Sequence, residues 1–293
     1  MDGRMSIGRR IFFLLLLTGL VCFAAVEAVS FFSLYDVQRH AMERGQEMGT
    51  SAALFAEEVA DEQAKKRFAL YAEEKARGIA TDFSRLREDT ELLAETMTRI
   101  LTHKDDYLPR ELPLGGEAPI RSKEPYLLFV PSLWADGGIG EVLPEAKIAA
   151  GAADHLSLWA GSYDDSHIMT CFFLSERGYL ICVDIAPEET DFVKFAEDWY
   201  ASSYDPRTRP WYQEVKASGK SVFTDIYVGA EGYPCISCVA PYYDENGFAG
   251  MASISNHIGS LYRQLSENTI GNTGVNFILN KKGEVILSSE KDG

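Results

Sequence analysis

Residues 11–34 constrain this chain more than any other segment. These 24 residues are mostly apolar and carry one charge, Glu27, and a helix of that length crosses about 30 Å of hydrocarbon. Arginines at positions 4, 9 and 10 precede the segment, which predicts that the amino terminus stays in the cytoplasm. We therefore expect a cytoplasmic tip over residues 1–10, a transmembrane helix in the cell membrane over residues 11–34, and an extracytoplasmic location for the rest.

A cleaved signal peptide is the alternative for this segment. Ala25-Val26-Glu27-Ala28 loosely resembles a small-residue cleavage site. The apolar run continues past that point through Phe31, Phe32 and Leu34, and this continuation favours an uncleaved anchor. In either arrangement, the residues after this segment are exported from the cytoplasm.

Residues 35–110 are expected to form a helical stalk. No proline occurs between positions 35 and 103, and Ala, Glu, Lys, Arg, Leu and Met dominate, which is a helix-favouring composition. A stripe with coiled-coil spacing, polar only at Thr90, runs through its second half. The stripe consists of Ala72, Ala76, Ile79, Phe83, Leu86, Thr90, Leu93, Met97 and Ile100. Two interpretations stay open, namely packing on the following domain and pairing with a second copy in a homodimer.

The charge balance argues against one class of partner. The chain has 28 Lys and Arg against 44 Asp and Glu, a formal net charge of −16, whereas nucleic acid backbones are bound by clustered cations. The sequence also contains no Walker loop, no HExxH and no GxSxG, and its five histidines are scattered. We expect no nucleic acid partner, no metal, no cofactor and no enzymatic activity in this chain.

Residues 111–268 are expected to form a separate module of the α+β class. Short apolar runs broken by Gly, Pro and Asp are typical of strands and turns. Strands are predicted over residues 126–130, 168–174, 179–185, 222–227, 234–241 and 250–254, and helices over residues 211–217 and 257–267. The natural architecture is an antiparallel sheet with helices packed on one side.

A second hairpin is predicted within residues 269–293. Its strands cover residues 275–279 and 284–288 around Lys281-Lys282-Gly283, and an isolated hairpin is marginally stable in water. We interpret this segment as the beginning of a second, similar module that is truncated, and we expect that Gly293 is not the natural end of the protein.

The segment 204–212 contains the densest chemistry. Arg209 lies among Tyr204, Trp211 and Tyr212, and a guanidinium in such an apolar box offers a carboxylate two parallel hydrogen bonds. Aromatic faces can in turn hold a cation. The alternative is that the aromatic residues belong to the core and that Arg209 pairs with an internal acid.

This segment resembles the signature of the double-Cache sensor domains, the extracytoplasmic PAS-like domains of bacterial transmembrane receptors. The pattern Tyr-x4-Arg-x-Trp-Tyr is matched by Tyr204, Arg209, Trp211 and Tyr212, and Tyr227 follows fifteen residues later. The resemblance covers residues 35–293. It implies a membrane-distal Cache module with a PAS-like sheet over residues 111–268 and the start of a membrane-proximal module from residue 269.

The resemblance also implies a ligand site at these residues and at Ser255. In amino-acid-binding members, the Arg and Trp region holds the ligand carboxylate, and an Asp in a later strand holds the ammonium. Residues 250–256 form the equivalent strand, and Ser255 stands where the Asp belongs. A serine hydroxyl carries no charge, so we expect a small organic acid whose far end is neutral or rich in acceptors. Asp225 or Asp244 would replace the missing acid if the strand register differs.

The implied function is ligand sensing. The chain would be the extracytoplasmic region of a bacterial signal-transduction receptor that binds a small carboxylate-bearing or amino-acid-like molecule and signals to an output domain outside this sequence. Alternatives are the sensor part of a membrane-bound enzyme, such as a sporulation-type serine phosphatase or a diguanylate cyclase, and a ligand-free structural or dimerisation ectodomain.

Four cysteines lie outside the predicted membrane helix. Cys171 and Cys182 fall on opposite arms of a predicted hairpin. Cys235 and Cys238 fall three residues apart in one predicted strand, where their side chains point to opposite faces. Buried structural thiols, one disulfide, and a metal or redox role are the open alternatives.

Overall fold

The computed structural model describes residues 7–115, 122–162, 168–185, 192–229, 233–266, 274–279 and 283–290. The chain divides into two compact units, Met1–Glu74 and Lys75–Gly293. Helix α1, Ile7–Thr102, supplies the described part of the first unit and the beginning of the second. Among the described residues it is the one helix long and apolar enough to cross a membrane, and its apolar stretch lies near the amino terminus.

The remaining elements belong to the second unit. The helices are α2 (Pro131–Ala135), α3 (Ile139–Ala149), α4 (Ala153–Ser162), α5 (Phe192–Ala201), α6 (Pro210–Ser218) and α7 (Ile258–Ser266). The strands are β1 (Tyr126–Phe129), β2 (Ile168–Ser175), β3 (Tyr179–Asp184), β4 (Val222–Phe223), β5 (Tyr227–Val228), β6 (Pro234–Asp244), β7 (Gly247–His257), β8 (Phe277–Leu279) and β9 (Val285–Ser288).

Strands β1 to β7 form one antiparallel sheet. Its order is β1-β3-β2-β7-β6-β4, and β5 also pairs with β6. The two hairpins predicted within this sheet, β2–β3 and β6–β7, are both present. The predicted α+β class, a long helix followed by a PAS-like antiparallel sheet, is confirmed.

Helices cover both faces of this sheet, so the prediction of helices on one side is wrong. On one face, the end of α1 packs with α3 and α4 against residues such as Phe173 and Ile181. On the other face, α5 and α6 pack against residues such as Leu128 and Leu180. Every residue of β1 and β3 is buried. A strand that is buried on both sides shows no polar alternation that would reveal its second covered face.

The second half of the stalk stripe packs against the module. Leu86, Thr90, Leu93, Met97 and Ile100 are all buried, and they belong to or adjoin the core on the α3 and α4 side of the sheet. The hydroxyl of Thr90 donates to the carbonyl of Leu86 at 2.7 Å, so this polar member of the stripe is satisfied within the helix. Packing on the following domain is therefore confirmed for these residues, and the homodimer stays a prediction.

The strand predicted over residues 222–227 is interrupted. It forms two short strands, because three residues of this segment lie opposite two residues of β6 between the pairs Phe223–Cys238 and Tyr227–Cys235. The hydroxyl of Thr224 accepts from the backbone N–H of Ser237 at 3.0 Å in place of a ladder partner. This bulge places Tyr227 beside the sheet edge.

The last hairpin, β8–β9, pairs as predicted from its two apolar runs. Residues 280–282, which include most of its predicted turn, lie outside the described residues. The assignment of this hairpin to a second module stays a prediction.

The four cysteines of the module are buried thiols. Cys171 belongs to the core on the α4 side, whereas Cys182 belongs to the core on the α5 side, so the sheet separates them and a disulfide between them is excluded. Burial raises the pKa of Cys171 far above its ordinary value and that of Cys238 to about 11. A thiol that stays protonated is a poor nucleophile, and the structure favours the structural role.

Candidate ligand-binding site

A cavity of about 60 Å³ lies between the sheet and the layer formed by α5, α6 and their connection. One water needs about 10–15 Å³ of such space, so the cavity has room for a small organic molecule. Its floor consists of Tyr126, Leu128, Thr170, Phe172, Leu180, Cys182, Asp184 and Ser255, and its roof of Phe195, Trp199, Tyr204, Pro206 and Trp211. Tyr227 of β5 and the following Gly229 complete the lining at the sheet edge.

The floor follows from the two-residue period of the strands. Alternate residues of β1, β2 and β3 point to the α5 side, and the register places Thr170 opposite both Asp184 and Ser255. Ser255 in turn lies opposite Ser237 on β6. Four polar residues therefore form one row across this face, and all four are buried. Ser253, two residues before Ser255 on β7, is a further buried polar residue of the same face.

Arg209 lies immediately before α6 and is not itself among the residues that line the cavity, but its side chain packs against two residues that are. Its backbone is extended and Pro210 begins the helix, as expected because proline tolerates the first helical position. Its guanidinium carbon lies 5.9 Å from the ring centre of Tyr204 and 5.8 Å from that of Tyr227, two residues that line the cavity. Within the described part of the chain, the buried Nε of Arg209 has no hydrogen-bond partner.

Arg207, two residues earlier, shows the opposite behaviour. Its guanidinium lies 2.7 Å from the carboxylate of Asp205 and donates to the carbonyl of Glu176 at 2.8 Å. Burial works against ionisation of Asp205, but the hydrogen bonds and charge of Arg207 prevail and lower its pKa. The guanidinium of Arg207 therefore forms hydrogen bonds within the protein, whereas the Nε–H of Arg209 is available to a ligand.

Trp211 supplies a second unused donor next to the cavity. Its ring lines the cavity and lies 6.2 Å from the ring of Tyr227. Its indole Nε1 is buried, and no acceptor reaches it among the described residues. Buried donors are rarely left unpaired in folded proteins, so an acceptor from a ligand fits here.

Tyr212 does not belong to the cavity lining, contrary to the prediction. Its hydroxyl donates to the carboxylate of Glu176, and its ring packs edge-on against Phe248 at 5.7 Å. Burial, followed by the hydrogen bond and charge of Glu176, raises its pKa. Consecutive helical residues point about 100° apart, so Tyr212 fixes α6 to the sheet while Trp211 faces the cavity.

Tyr227 and Ser255 are joined through Ser237. The Tyr227 hydroxyl lies 2.8 Å from the Ser237 hydroxyl, which lies 2.8 Å from that of Ser255. Burial raises the pKa of Tyr227, so its phenol stays neutral. This chain of hydroxyls occupies the β6 end of the polar row.

Asp184 is a cavity residue that the sequence analysis missed. It is 5% exposed, and its carboxylate accepts a hydrogen bond from the hydroxyl of Tyr126. Burial raises its pKa, and the neighbouring hydroxyls of Thr170 and Tyr126 oppose the rise. Its place after an unbroken apolar strand, in register with Thr170, is the sequence signal that could have identified it.

The two acids proposed from the sequence as substitutes are placed elsewhere. Asp225 is exposed, and Asp244 lies at the β6–β7 turn, where it accepts from the backbone N–H of Asn246 at 2.7 Å. Neither lines the cavity. The alternative in which Asp225 or Asp244 replaces the missing acid therefore has no support in the observed strand register.

Comparison with known proteins shows a similarity to bacterial receptors over part of the chain. No protein-family model matches it. It is 32% identical over 91 residues to the methyl-accepting chemotaxis protein McpB of Bacillus subtilis and 29% identical over 104 residues to the methyl-accepting chemotaxis protein McpA of Pseudomonas putida. It is similar to chemoreceptors. These matches cover 31% and 35% of this chain but only 13% and 16% of the two relatives.

Solved structures give a related comparison. The ligand-binding domain of the Pseudomonas fluorescens chemoreceptor CtaA, in complex with L-isoleucine, is 18% identical, with a TM-score of 0.36, over 73% of this chain and 72% of that one. The α+β fold with its long amino-terminal helix fits a double-Cache sensor domain. The observed fold agrees with the resemblance stated from residues 204–212, and the interpretation as a sensing region stays a proposal.

Proposed function

We propose that this chain is the sensing region of a bacterial transmembrane receptor and that its cavity binds a small carboxylate-bearing molecule. The observation that carries the proposal is the pair of buried, unpartnered donors at Arg209 Nε and Trp211 Nε1 within the described residues. A donor left unpaired in the interior costs about 1–3 kcal/mol. A carboxylate provides acceptors for both groups and a countercharge for the guanidinium.

The six residues proposed for this site have different roles. Arg209 and Trp211 would hold the carboxylate, while Tyr204 and Tyr227 would fix the guanidinium between their rings. Ser255 would offer a hydroxyl from the floor. Tyr212 would act indirectly, by holding α6 in place through Glu176.

The proposed topology places residues 11–34 in the membrane, the amino terminus in the cytoplasm and the module outside. The apolar stretch of α1 and its preceding arginines support this arrangement. Homodimerisation through the stalk is supported by large apolar side chains exposed on α1, including Leu54, Phe55 and Leu70. The names of the two curated relatives favour a chemotaxis output over the phosphatase and cyclase alternatives.

The carboxylate site is tested by calorimetry on the full 293-residue chain in detergent. The probes are acetate, propanoate, butanoate, succinate and L-alanine, each titrated against wild type, Arg209→Gln and Arg99→Gln. Arg99 is an exposed cation on α1 and serves as the matched control. We expect at least one probe to bind to wild type and to Arg99→Gln but about tenfold more weakly to Arg209→Gln. Equal binding to all three proteins would contradict the proposal.

A further inference from the structure

The cavity contains a carboxyl group that the carboxylate site leaves unused. Asp184 lines the cavity and is almost fully buried. Its carboxylate accepts from the Tyr126 hydroxyl, and no Lys, Arg or His side chain pairs with it in the described part of the chain.

A buried carboxylate without a cation is costly to keep ionised. Here the carboxylate adjoins a space whose walls include the rings of Tyr126, Phe172 and Trp199. Aromatic faces attract cations within about 6 Å of their centres. An acid surrounded by rings and open to a cavity is the chemistry that recognises an ammonium group.

The sheet order separates Asp184 from the arginine. Arg209 packs against Tyr227, which is hydrogen-bonded to Ser237 on β6. Asp184 is on β3, which is three strand spacings from β6 in the order β6-β7-β2-β3. At about 4.8 Å per spacing, the backbones at the two ends of the polar row lie roughly 14 Å apart along the floor, and the side chains of Asp184 and Arg209 shorten the distance that a ligand has to span. The anionic and cationic groups of the cavity therefore approach a ligand from opposite ends.

We propose that Asp184 receives the ammonium of an ω-amino acid, in which several carbons separate the amino group from the carboxylate. The proposal rests on the proposed function, because Arg209 holds the other end. It replaces the expectation of a plain organic acid, which was based on Ser255 alone. In an α-amino acid the ammonium and carboxylate groups are attached to the same carbon. Such a ligand is too short to contact both Asp184 and Arg209.

The test compares ligands that differ in one group. The full chain in detergent is titrated with 4-aminobutanoate, 5-aminopentanoate and L-alanine, with the deaminated acids butanoate and pentanoate, and with butylamine. We expect the two ω-amino acids to bind to wild type about tenfold or more tightly than their deaminated partners, and more tightly than L-alanine. This arm uses wild-type protein, so it does not depend on the folding of any variant.

Two variants test whether the preference for the amino compounds depends on Asp184. Asp184→Asn keeps the shape of the side chain and removes its charge, and we expect it to abolish the preference for the amino compounds. Asp225→Asn removes an exposed acid outside the cavity and should leave that preference intact. Persistence of the preference in Asp184→Asn would overturn the assignment.

The remaining outcomes separate this proposal from the one on which it rests. If butanoate binds in an Arg209-dependent way but 4-aminobutanoate binds no better, the Asp184 proposal is wrong and the carboxylate site stands. If L-alanine binds more tightly than both ω-amino acids, the proposed spacing is wrong. If butylamine binds through Asp184 and no carboxylate binds, the carboxylate site is wrong and the ammonium site stands.

Discussion

The two faces of the sheet are covered in different ways, although alternate residues of the same strands build them. On the closed face, α3 and α4 contribute small residues that are completely buried, including Ala146, Ala149, Ala153 and Ala160. Small side chains let these helices approach the sheet closely and fill the interior. On the cavity face, α5 and α6 contribute Trp199 and Trp211, and bulky rings leave the cavity beneath them.

Polar groups divide between the faces in the same way. The closed face is largely apolar, although the buried hydroxyl of Tyr242 there has no partner among the described residues, whereas the cavity face contains the polar row and the unpartnered donors of Arg209 and Trp211. Such groups weaken a core unless a ligand satisfies them. The comparison indicates that one face supplies stability and the other gives up part of it for binding.

The largest expected effect tests the closed face with two adjacent residues. Phe173 is fully buried on the closed face, and Phe172 lines the cavity. Phe173→Ala should lower the free energy of unfolding by about 3–5 kcal/mol, because it leaves a hole in a filled core. Phe172→Ala should cost clearly less, since its side chain already adjoins empty space. Urea denaturation of both variants measures the difference, and equal losses would contradict the distinction between the faces.

The next effect contrasts the two arginines. Arg209→Ala should weaken carboxylate binding by about 1.5–3 kcal/mol, the value of a hydrogen bond to a charged group, with little change in stability. Arg207→Ala should instead lower stability by about 1–3 kcal/mol, because Asp205 and the Glu176 carbonyl lose their donors. Calorimetry and urea denaturation on both variants separate the two roles. If Arg209→Ala binds the carboxylate as tightly as wild type does, the assignment of Arg209 to the binding site is wrong.

A smaller effect is expected at Tyr212. Tyr212→Phe removes the hydrogen bond to Glu176 and should lower stability by about 1 kcal/mol. Ligand affinity should stay within twofold of wild type, which is about 0.4 kcal/mol, because the side chain is outside the cavity lining. A larger loss of affinity without a loss of stability would indicate that Tyr212 contacts the ligand directly.

Local patterns were sufficient to predict helices α6 and α7 and the strands, apart from the interruption between β4 and β5. The β2–β3 and β6–β7 hairpins have clear apolar runs and turn residues, and these determine local structure. Helices α2 to α5 were not predicted, because their burial depends on a second covered face that the strand sequences do not reveal. Tertiary packing, rather than local propensity, stabilises such short helices.

The site was predictable only where the motif was continuous. Tyr204, Arg209 and Trp211 are close in sequence, and the structure places them around or against the cavity. Asp184 joins them only through the pairing of β3 with β2, and an acid after an apolar strand is usually assigned to a turn. The position of Asp184 in the cavity depends on the register between β2 and β3, which the local sequence pattern does not determine.

The last prediction concerns the sign of a pH effect at Asp184. Burial raises its pKa in the folded protein, against the opposing hydroxyls of Thr170 and Tyr126, so the folded state binds a proton more tightly than the unfolded state. The stability that this acid contributes is therefore present below its ordinary pKa of about 3.9 and is lost as the pH rises above it. Asp184→Asn cannot ionise, so its stability relative to wild type should increase between pH 4 and pH 7.

Urea denaturation of both proteins at several pH values measures this trend. An opposite trend would mean that a cation already compensates Asp184 in the ligand-free protein, and the cavity face would then hold no unpaired charge. Addition of 4-aminobutanoate should narrow the gap at pH 7, because a bound ammonium stabilises the ionised carboxylate of wild type and has no such partner in Asp184→Asn.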